Sequence, residues 1–100
     1  MVVNGTVIDV ISVKESITQV VVRTKRENAY IYIAFTCHHE ITTLIRQLRL
    51  EKGDIVKITY YVSSKKYENR YYTSAIAEKI HITQKKSEQL MVDLETGEIY

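Results

Sequence analysis

The stretch CHHEITTLIRQLRL, residues 37–50, is where the periodicity of this chain changes. Its apolar residues recur at the spacing i, i+3, i+4, i+7, which places them on one face of a helix; they are Ile41, Leu44, Ile45 and Leu48. Thr36 is the predicted N-cap, and residues 51–54 end the helix, with Gly53 suited to a left-handed stop. The sequence therefore predicts one amphipathic helix with a single buried face.

Five strand-like segments surround that helix. Residues 3–13, 17–25 and 29–35 precede it, and residues 55–63 and 70–82 follow it. All five are rich in β-branched or aromatic residues, which favour strands. The chain contains no proline, so Gly, Asn, Asp and Ser mark the turns between them.

Alternation along a strand assigns side chains to its two faces. It places Ile31, Ile33 and Phe35 on one face of the third strand, Val56, Ile58, Tyr60 and Val62 on one face of the fourth, and Ile76, Ile80 and Ile82 on one face of the fifth. Gly5 predicts a bend or bulge near the start of the first strand. Residues 64–69, SKKYEN, are predicted to form a loop.

The order strand, strand, strand, helix, strand, strand is that of the OB fold, a small Greek-key barrel. We therefore expect an all-β domain with one helix, a five-stranded OB-fold barrel spanning residues 1–83, followed by a polar and acidic C-terminal tail at 84–100. An SH3-like barrel would not need a helix of this length at this point. A ferredoxin-like fold would need a second helix, which the sequence does not show.

The composition is that of an ordinary globular domain. The chain has 100 residues, 45% of them hydrophobic and 26% charged, which suits one domain. No apolar run approaches the roughly 20 residues of a membrane helix, and the N-terminus lacks the features of a secretory signal. The single cysteine allows no internal disulfide. These features predict a cytoplasmic protein without a membrane partner.

Charge and aromatic residues are unevenly distributed. Residues 1–82 carry twelve Lys or Arg against eight Asp or Glu, whereas residues 83–100 carry two against four. The chain has eight tyrosines, one phenylalanine and no tryptophan. Tyrosine suits positions where a flat ring must also meet water. A basic body with exposed rings favours an anionic partner that has flat groups.

Single-stranded nucleic acid is such a partner, because cations follow its phosphates and its bases stack on aromatic rings. In an OB barrel the face of strands two and three and the loop between strands four and five line the groove. The candidate binding residues on these segments and on the polar face of strand four are Arg23, Lys25, Tyr30, Tyr32, Lys57, Tyr61, Lys65, Lys66, Tyr67, Arg70 and Tyr71. Tyr60 and Tyr72 have apolar neighbours and are expected in the core or at its rim.

The stretch GDIVKITYYVSSKKYENRYYTSAIAEKI, residues 53–80, resembles the second half of OB-fold single-stranded DNA-binding proteins. The shared features are a Gly-Asp turn before strand four, a basic and aromatic loop at 65–67, and the Asn-Arg-Tyr-Tyr sequence that opens strand five at 69–72. The sequence NGTVIDVI, residues 4–11, is similar to their first strand. The resemblance covers most of residues 3–82. This chain lacks the tryptophans on which several members stack bases, so tyrosines would have to substitute for them.

The resemblance implies a non-catalytic protein that coats single-stranded DNA with little sequence preference, in replication, recombination or mobile-element maintenance. The acidic segment at 91–100 is similar in character to the tail with which bacterial members recruit other replication proteins. It lacks their run of aspartates and their proline-phenylalanine end. Val2, Val3 and the first strand could pair with a second copy, so we also expect a homo-oligomer.

Two alternatives remain open at this point. The tyrosine-rich face could be buried against another chain, which would make the protein an assembly subunit, or the same chemistry could bind RNA. Protein interfaces are depleted in lysine, so Lys25, Lys65 and Lys66 beside the tyrosines favour nucleic acid.

Cys37, His38 and His39 are the residues most suggestive of a metal or catalytic site. A zinc site needs at least three protein ligands, and only His81 is left as a further nitrogen ligand. Neighbouring histidines on a helix point about 100° apart and chelate poorly. The sequence shows no phosphate-binding loop or hydrolase motif. We therefore expect no enzymatic activity, no metal and no cofactor.

Overall fold

The structure is a computed structural model that describes residues 1–86. Its elements are β1 (Val2–Lys14), β2 (Ile17–Arg26), β3 (Ala29–Cys37), α1 (His39–Leu48), β4 (Ile55–Tyr67) and β5 (Arg70–Gln84). The strands close into a barrel in the order β1-β2-β3-β5-β4, and only the contact between β3 and β5 is parallel. The predicted OB-fold barrel and element order are confirmed. Most of the predicted tail lies outside the described residues.

The first strand closes the barrel because its two halves pair with different neighbours. Residues 2–6 pair with β4, and β2 pairs with β1 from Thr6 onward. A Cβ atom on Gly5 would lie 2.5 Å from the carbonyl oxygen of Arg23 and 2.5 Å from Cγ1 of Val22. Gly5 therefore permits a close approach of two backbones. The bulge predicted in this strand is at Ile8, where the register with β2 shifts.

The core consists of inward-facing side chains from all five strands and the helix. The buried apolar residues are Val7, Val20, Val22, Phe35, Cys37, Ile45, Leu50, Val56, Ile58, Ala77 and Ile80. Tyr60 packs against this core with its ring edge-on to Phe35, the two ring centroids 5.0 Å apart. Within residues 1–86, no helix is long and apolar enough to cross a membrane.

The helix begins later than the sequence predicts. Thr36 is not its N-cap, because β3 continues to Cys37 and keeps this segment paired with β2. His38 takes the N-cap position without a side-chain hydrogen bond. The hydroxyl of Thr42 instead donates a hydrogen bond of 2.9 Å to the carbonyl oxygen of Cys37, which joins the first turn to the strand.

The helix also ends earlier than predicted, at Leu48. Arg49 adopts the left-handed conformation, with φ of 54°, and the amide of Leu50 donates to the carbonyl oxygen of Ile45. This bond closes the helix as in a Schellman motif. Gly53 is also left-handed, with φ of 100°, but it lies in the turn that leads to β4.

A buried carboxylate fixes that turn. Asp54 accepts hydrogen bonds from the amide of Glu51, the amide of Lys86 and Nζ of Lys85, all between 2.8 and 3.0 Å. Burial raises the pKa of Asp54, but the bonds from Lys85, Lys86 and Glu51 together outweigh it and hold the pKa below its ordinary value. The end of β5 is thereby joined to the segment that follows the helix.

The predicted loop at 64–69 is wrong, because β4 and β5 continue as a paired hairpin to Tyr67 and Arg70. Only Glu68 and Asn69 form the turn, and Glu68 has φ of 57°. Since β3 pairs with β5 only at Ala75 and Ile76, five residues of each strand extend past it, at 63–67 and 70–74. This overhang measures about 16 Å at roughly 3.3 Å per residue.

A bulge changes the facing of residues in β5. Thr59 pairs with Lys79 and Tyr60 pairs with Ala77, which leaves Glu78 as an extra residue. Ile80 is buried, but Ile76 falls on the outer face, so the prediction that these two residues share a face is wrong. Val62 lies opposite Ala75 on the same face as Tyr60, as predicted, but its side chain is 50% exposed because the hairpin leaves the barrel there.

Candidate nucleic-acid interface

The outer face of β2 and β3 carries alternating cations and rings. Arg23 pairs with Tyr32, and Lys25 pairs with Tyr30. Both tyrosines are about 60% exposed, while the residues between them on each strand point toward the barrel interior. The guanidinium carbon of Arg23 lies 4.8 Å from the ring centroid of Tyr30, a cation–π contact that helps to fix the orientation of the ring.

This surface continues onto the β4–β5 hairpin. Thr36 of β3 pairs with Ile76 of β5. The outer face of the β2–β3 hairpin therefore adjoins the outer face of the β4–β5 hairpin. Directly paired residues of antiparallel strands share a face, and the face alternates along each strand. The hairpin therefore presents four cations or rings between its tip and Thr73 on this side: Lys65, Tyr67, Arg70 and Tyr72.

We call the combined surface the tyrosine face. It comprises Arg23, Lys25, Tyr30, Tyr32, Tyr61, Lys65, Tyr67, Arg70 and Tyr72. Eight of these nine residues belong to the predicted set. Within residues 1–86, the side chains of Lys65, Tyr67, Arg70 and Tyr72 make no hydrogen bond or ion pair with other side chains. The rings and cations of the hairpin are thus available to a ligand.

Lys66 and Tyr71 lie on the opposite face of the hairpin. They are direct partners, and Nζ of Lys66 lies 5.9 Å from the ring centroid of Tyr71. The hydroxyls of Ser64 and Thr73 are 2.9 Å apart on the same side. The structure does not bring Lys66 and Tyr71 together with the other candidates, because a paired strand alternates where a loop need not.

Tyr72 is the residue that sequence reasoning missed. It was expected in the core or at its rim, but it is 55% exposed on the tyrosine face, paired with Lys65. Its apolar neighbours in sequence lie in a projecting hairpin rather than in the barrel. The two-residue turn at Glu68-Asn69 pairs Tyr72 with Lys65, but it contains no glycine or proline to mark it in the sequence.

Lys57 is exposed but stands apart from the other candidates. It lies between Asn4 of β1 and His81 of β5, on the side of the barrel away from β3. Four residues along β4 separate it from Tyr61, which is about 13 Å at the rise of a strand.

Two concavities follow the tyrosine face where the hairpins meet. The first, of about 160 Å³, is lined by Thr36, His38, Ser63, Lys65, Tyr72, Ser74 and Ile76. The second, of about 380 Å³, is lined by His38, His39, Glu40, Ile41, Tyr61, Ile76, Ala77 and Glu78. His38 and Ile76 belong to both, so the two concavities are neighbours at the start of α1.

The residues first considered for metal or nucleophile chemistry do not converge. Cys37 is fully buried, and burial raises the pKa of its thiol to about 12, so it stays protonated. His38 and His39 are exposed at the start of the helix. His81 lies on β5 and pairs with Lys57 of β4, which pairs with Asn4 of β1 on its other side. Among residues 1–86, no group of three or more His, Cys, Asp or Glu side chains is placed to hold a metal ion.

The barrel topology and the position of its single helix make this an OB-fold protein. No protein-family model and no curated protein sequence matches the chain. Solved structures do resemble it. The mitochondrial single-stranded DNA-binding protein Rim1 of S. cerevisiae superposes with a TM-score of 0.65 at 12% identity, over 84% of this chain and 91% of that one.

Two further structures resemble it over similar lengths. A small single-stranded DNA-binding protein from Mycoplasma pneumoniae has a TM-score of 0.54 at 12% identity, over 85% of this chain and 93% of that one. The Plasmodium falciparum SSB in complex with single-stranded DNA has a TM-score of 0.52 at 16% identity, over 81% of this chain and 89% of that one. At these identities the likeness establishes a common fold.

Proposed function

We propose that this protein binds single-stranded DNA on the tyrosine face, without catalysis and with little sequence preference. The observation that carries the proposal is the interleaving of rings and cations on one continuous surface. The structural likeness to single-stranded DNA-binding proteins, one of them solved with its DNA, supports it. Lys57, Lys66 and Tyr71 lie off this surface and have a lesser role in the proposed site.

The chemistry of the surface suits a flexible polyanion with flat groups. Each base that stacks on an exposed tyrosine contributes about 1–3 kcal/mol, whichever base it is. Arg23, Lys25 and Arg70 can contact the phosphates between stacked bases. Duplex DNA offers its phosphates but keeps its bases inside the helix, so the rings gain nothing from it. The surface therefore favours single strands over duplexes.

The proposed setting is replication, recombination or mobile-element maintenance, in the cytoplasm. Recruitment of a replication protein by the acidic tail stays a prediction, as the tail lies largely outside the described residues. A homo-oligomer is proposed because residues 8–14 of β1 pair with β2 on one edge only, among the residues described. Ile11 and Val13 of this segment are 41% and 55% exposed. A second copy could pair with this edge.

The direct test is a titration with oligo-dT followed by tyrosine fluorescence, which no tryptophan obscures. An OB fold covers about 4–16 nucleotides, so an oligonucleotide of about 30 nucleotides spans at least one site. We expect quenching that weakens at high salt, and much weaker binding of a duplex of equal length. An oligo-U arm distinguishes RNA binding. Absence of quenching and of salt-sensitive binding would refute the proposal and favour a protein partner for the tyrosine face.

A further inference from the structure

The smaller concavity on the tyrosine face differs chemically from the rest of that surface. We call it the Tyr72 pocket, lined by Thr36, His38, Ser63, Lys65, Tyr72, Ser74 and Ile76. It lies where the end of β3 meets the base of the β4–β5 hairpin. Elsewhere the tyrosine face offers exposed rings and cations on a strand surface, whereas this pocket adds short hydroxyl side chains in a depression.

The size of the pocket limits what can enter it. Its volume of about 160 Å³ is below the roughly 300–1,000 Å³ of pockets for drug-sized ligands. It is suited to one flat ring. Because it is continuous with the rest of the tyrosine face, a base of a strand bound there could enter it without leaving that surface.

The lining combines apolar surface with hydrogen-bonding groups. Tyr72 and Ile76 offer a ring and an aliphatic side chain against which the flat face of a base can pack. A phosphate is strongly hydrated and gains nothing from such contacts. The hydroxyls of Ser63 and Ser74 can each donate or accept, so they adapt to several ring edges. The apolar part of the lining favours a base over a phosphate.

Lys65 adds a positively charged hydrogen-bond donor to the lining of the pocket. An ammonium group donates hydrogen bonds and accepts none. Thymine presents the acceptor O4 and guanine the acceptor O6, whereas cytosine and adenine present an amino donor at the equivalent position. If a base placed its amino group against Lys65, two hydrogen-bond donors would face each other without an acceptor between them. The lysine side chain makes no ion pair within residues 1–86 that would occupy it.

We propose that the Tyr72 pocket is a base-recognition subsite that favours keto bases, thymine and guanine, over cytosine and adenine. The inference rests on the proposed single-strand binding, and it adds a modest preference at one position of an otherwise tolerant surface. Tyr72 supplies the stacking face, and Lys65 reads the keto oxygen. The remaining tyrosines stack bases irrespective of their identity.

The test compares oligo-dT, oligo-dU and oligo-dC of equal length at mildly alkaline pH. All three are pyrimidines that stack weakly, and oligo-dU removes the thymine methyl group as an explanation. We expect the wild type to bind oligo-dT and oligo-dU about three- to tenfold more tightly than oligo-dC, the size of one hydrogen bond. Lys65→Met and Tyr72→Ala should each bring that ratio toward one. Lys66→Met, on the opposite hairpin face, is the matched control and should leave it unchanged.

The outcomes separate the inference from the proposed function. Binding of all three oligonucleotides with a wild-type ratio near one would overturn the inference and leave the proposed function intact. A ratio that survives in both Lys65→Met and Tyr72→Ala would also overturn it. Equal weakening of oligo-dT and oligo-dC by Lys65→Met, with no change in ratio, would assign the pocket to a phosphate instead. Absence of single-strand binding by the wild type would refute the proposed function and the inference together.

Discussion

The salt dependence of binding gives the sharpest test of the tyrosine face. The perturbation is the double variant Lys25→Gln with Arg70→Gln, which removes one cation from each hairpin of that face. Both positions are exposed, and neither side chain contributes to the buried core. The variant should therefore fold normally and lose only phosphate contacts.

The magnitude follows from counting cations on the face. Three positive side chains of that face are proposed to contact phosphates, whereas Lys65 is proposed to contact a base; the three are Arg23, Lys25 and Arg70. For single strands, each neutralised phosphate contributes about 0.7 to the slope of log affinity against log salt, so three predict a slope of about −2.1. A rise from about 50 to about 200 mM salt then weakens binding about 18-fold. The double variant should have a slope of about −0.7, and the same rise should weaken it only about 2.6-fold.

The assay is the oligo-dT titration repeated across that salt range, with a neighbouring double variant as control. Arg26→Gln with Lys66→Gln removes the same charge from adjacent positions, but alternation directs both side chains to the other face of their strands. The control should keep a slope close to that of the wild type. Equal loss of slope in both variants would show that general charge, rather than the tyrosine face, attracts DNA.

Three further predictions concern single residues. Tyr32→Ala should weaken oligo-dT binding about 5- to 150-fold, since one stacked base contributes about 1–3 kcal/mol; Tyr32→Phe should bind nearly as the wild type, and equal weakening in both would exclude stacking. Gly5→Ala should lower the free energy of unfolding by about 1–3 kcal/mol in urea titrations, because its Cβ would overlap the Arg23 carbonyl; an unchanged midpoint would contradict this. Because the pKa of Asp54 is lowered in the folded state, its charge stabilises the fold above its unfolded pKa of about 3.9, and this stabilisation is lost as pH falls through the folded pKa. Asp54→Asn should therefore be less stable than the wild type at neutral pH and should lose less stability on acidification. If the urea midpoints of the two proteins were the same at every pH, the role of this carboxylate would be refuted.

The fold was predictable because its strongest signals are local. The apolar stripe of the helix and the alternation in β2 and β3 each follow from a period that a short window reveals. Tyr30 and Tyr32 were placed outward correctly because Ile31, Ile33 and Phe35 alternate with them. Where one face of a strand is apolar, the sequence determines the register and therefore the facing of every residue.

The projecting hairpin was not predictable in the same way, because neither of its faces is apolar. Lys65 and Lys66 differ by one position and face opposite ways, yet no buried residue nearby indicates which faces outward. The two-residue turn carries neither glycine nor proline, although Glu68 is left-handed. The bulge at Glu78 likewise leaves no mark in composition, and it moves Ile76 to the outer face. Long-range pairing decided these features.

The two faces of that hairpin have different physical roles. An isolated two-stranded hairpin is marginally stable in water, and this one extends about 16 Å past β3. On one side, the contact of Lys66 with Tyr71 and the hydroxyl pair of Ser64 and Thr73 stabilise the paired strands. On the other side, the side chains of Lys65, Tyr67, Arg70 and Tyr72 make no hydrogen bond, ion pair or cation–π contact within residues 1–86. A ligand there gains contacts without breaking any, whereas a ligand on the Tyr71 side would first have to displace the pairs that support the hairpin. This asymmetry supports the proposal that DNA binds on the Tyr72 side.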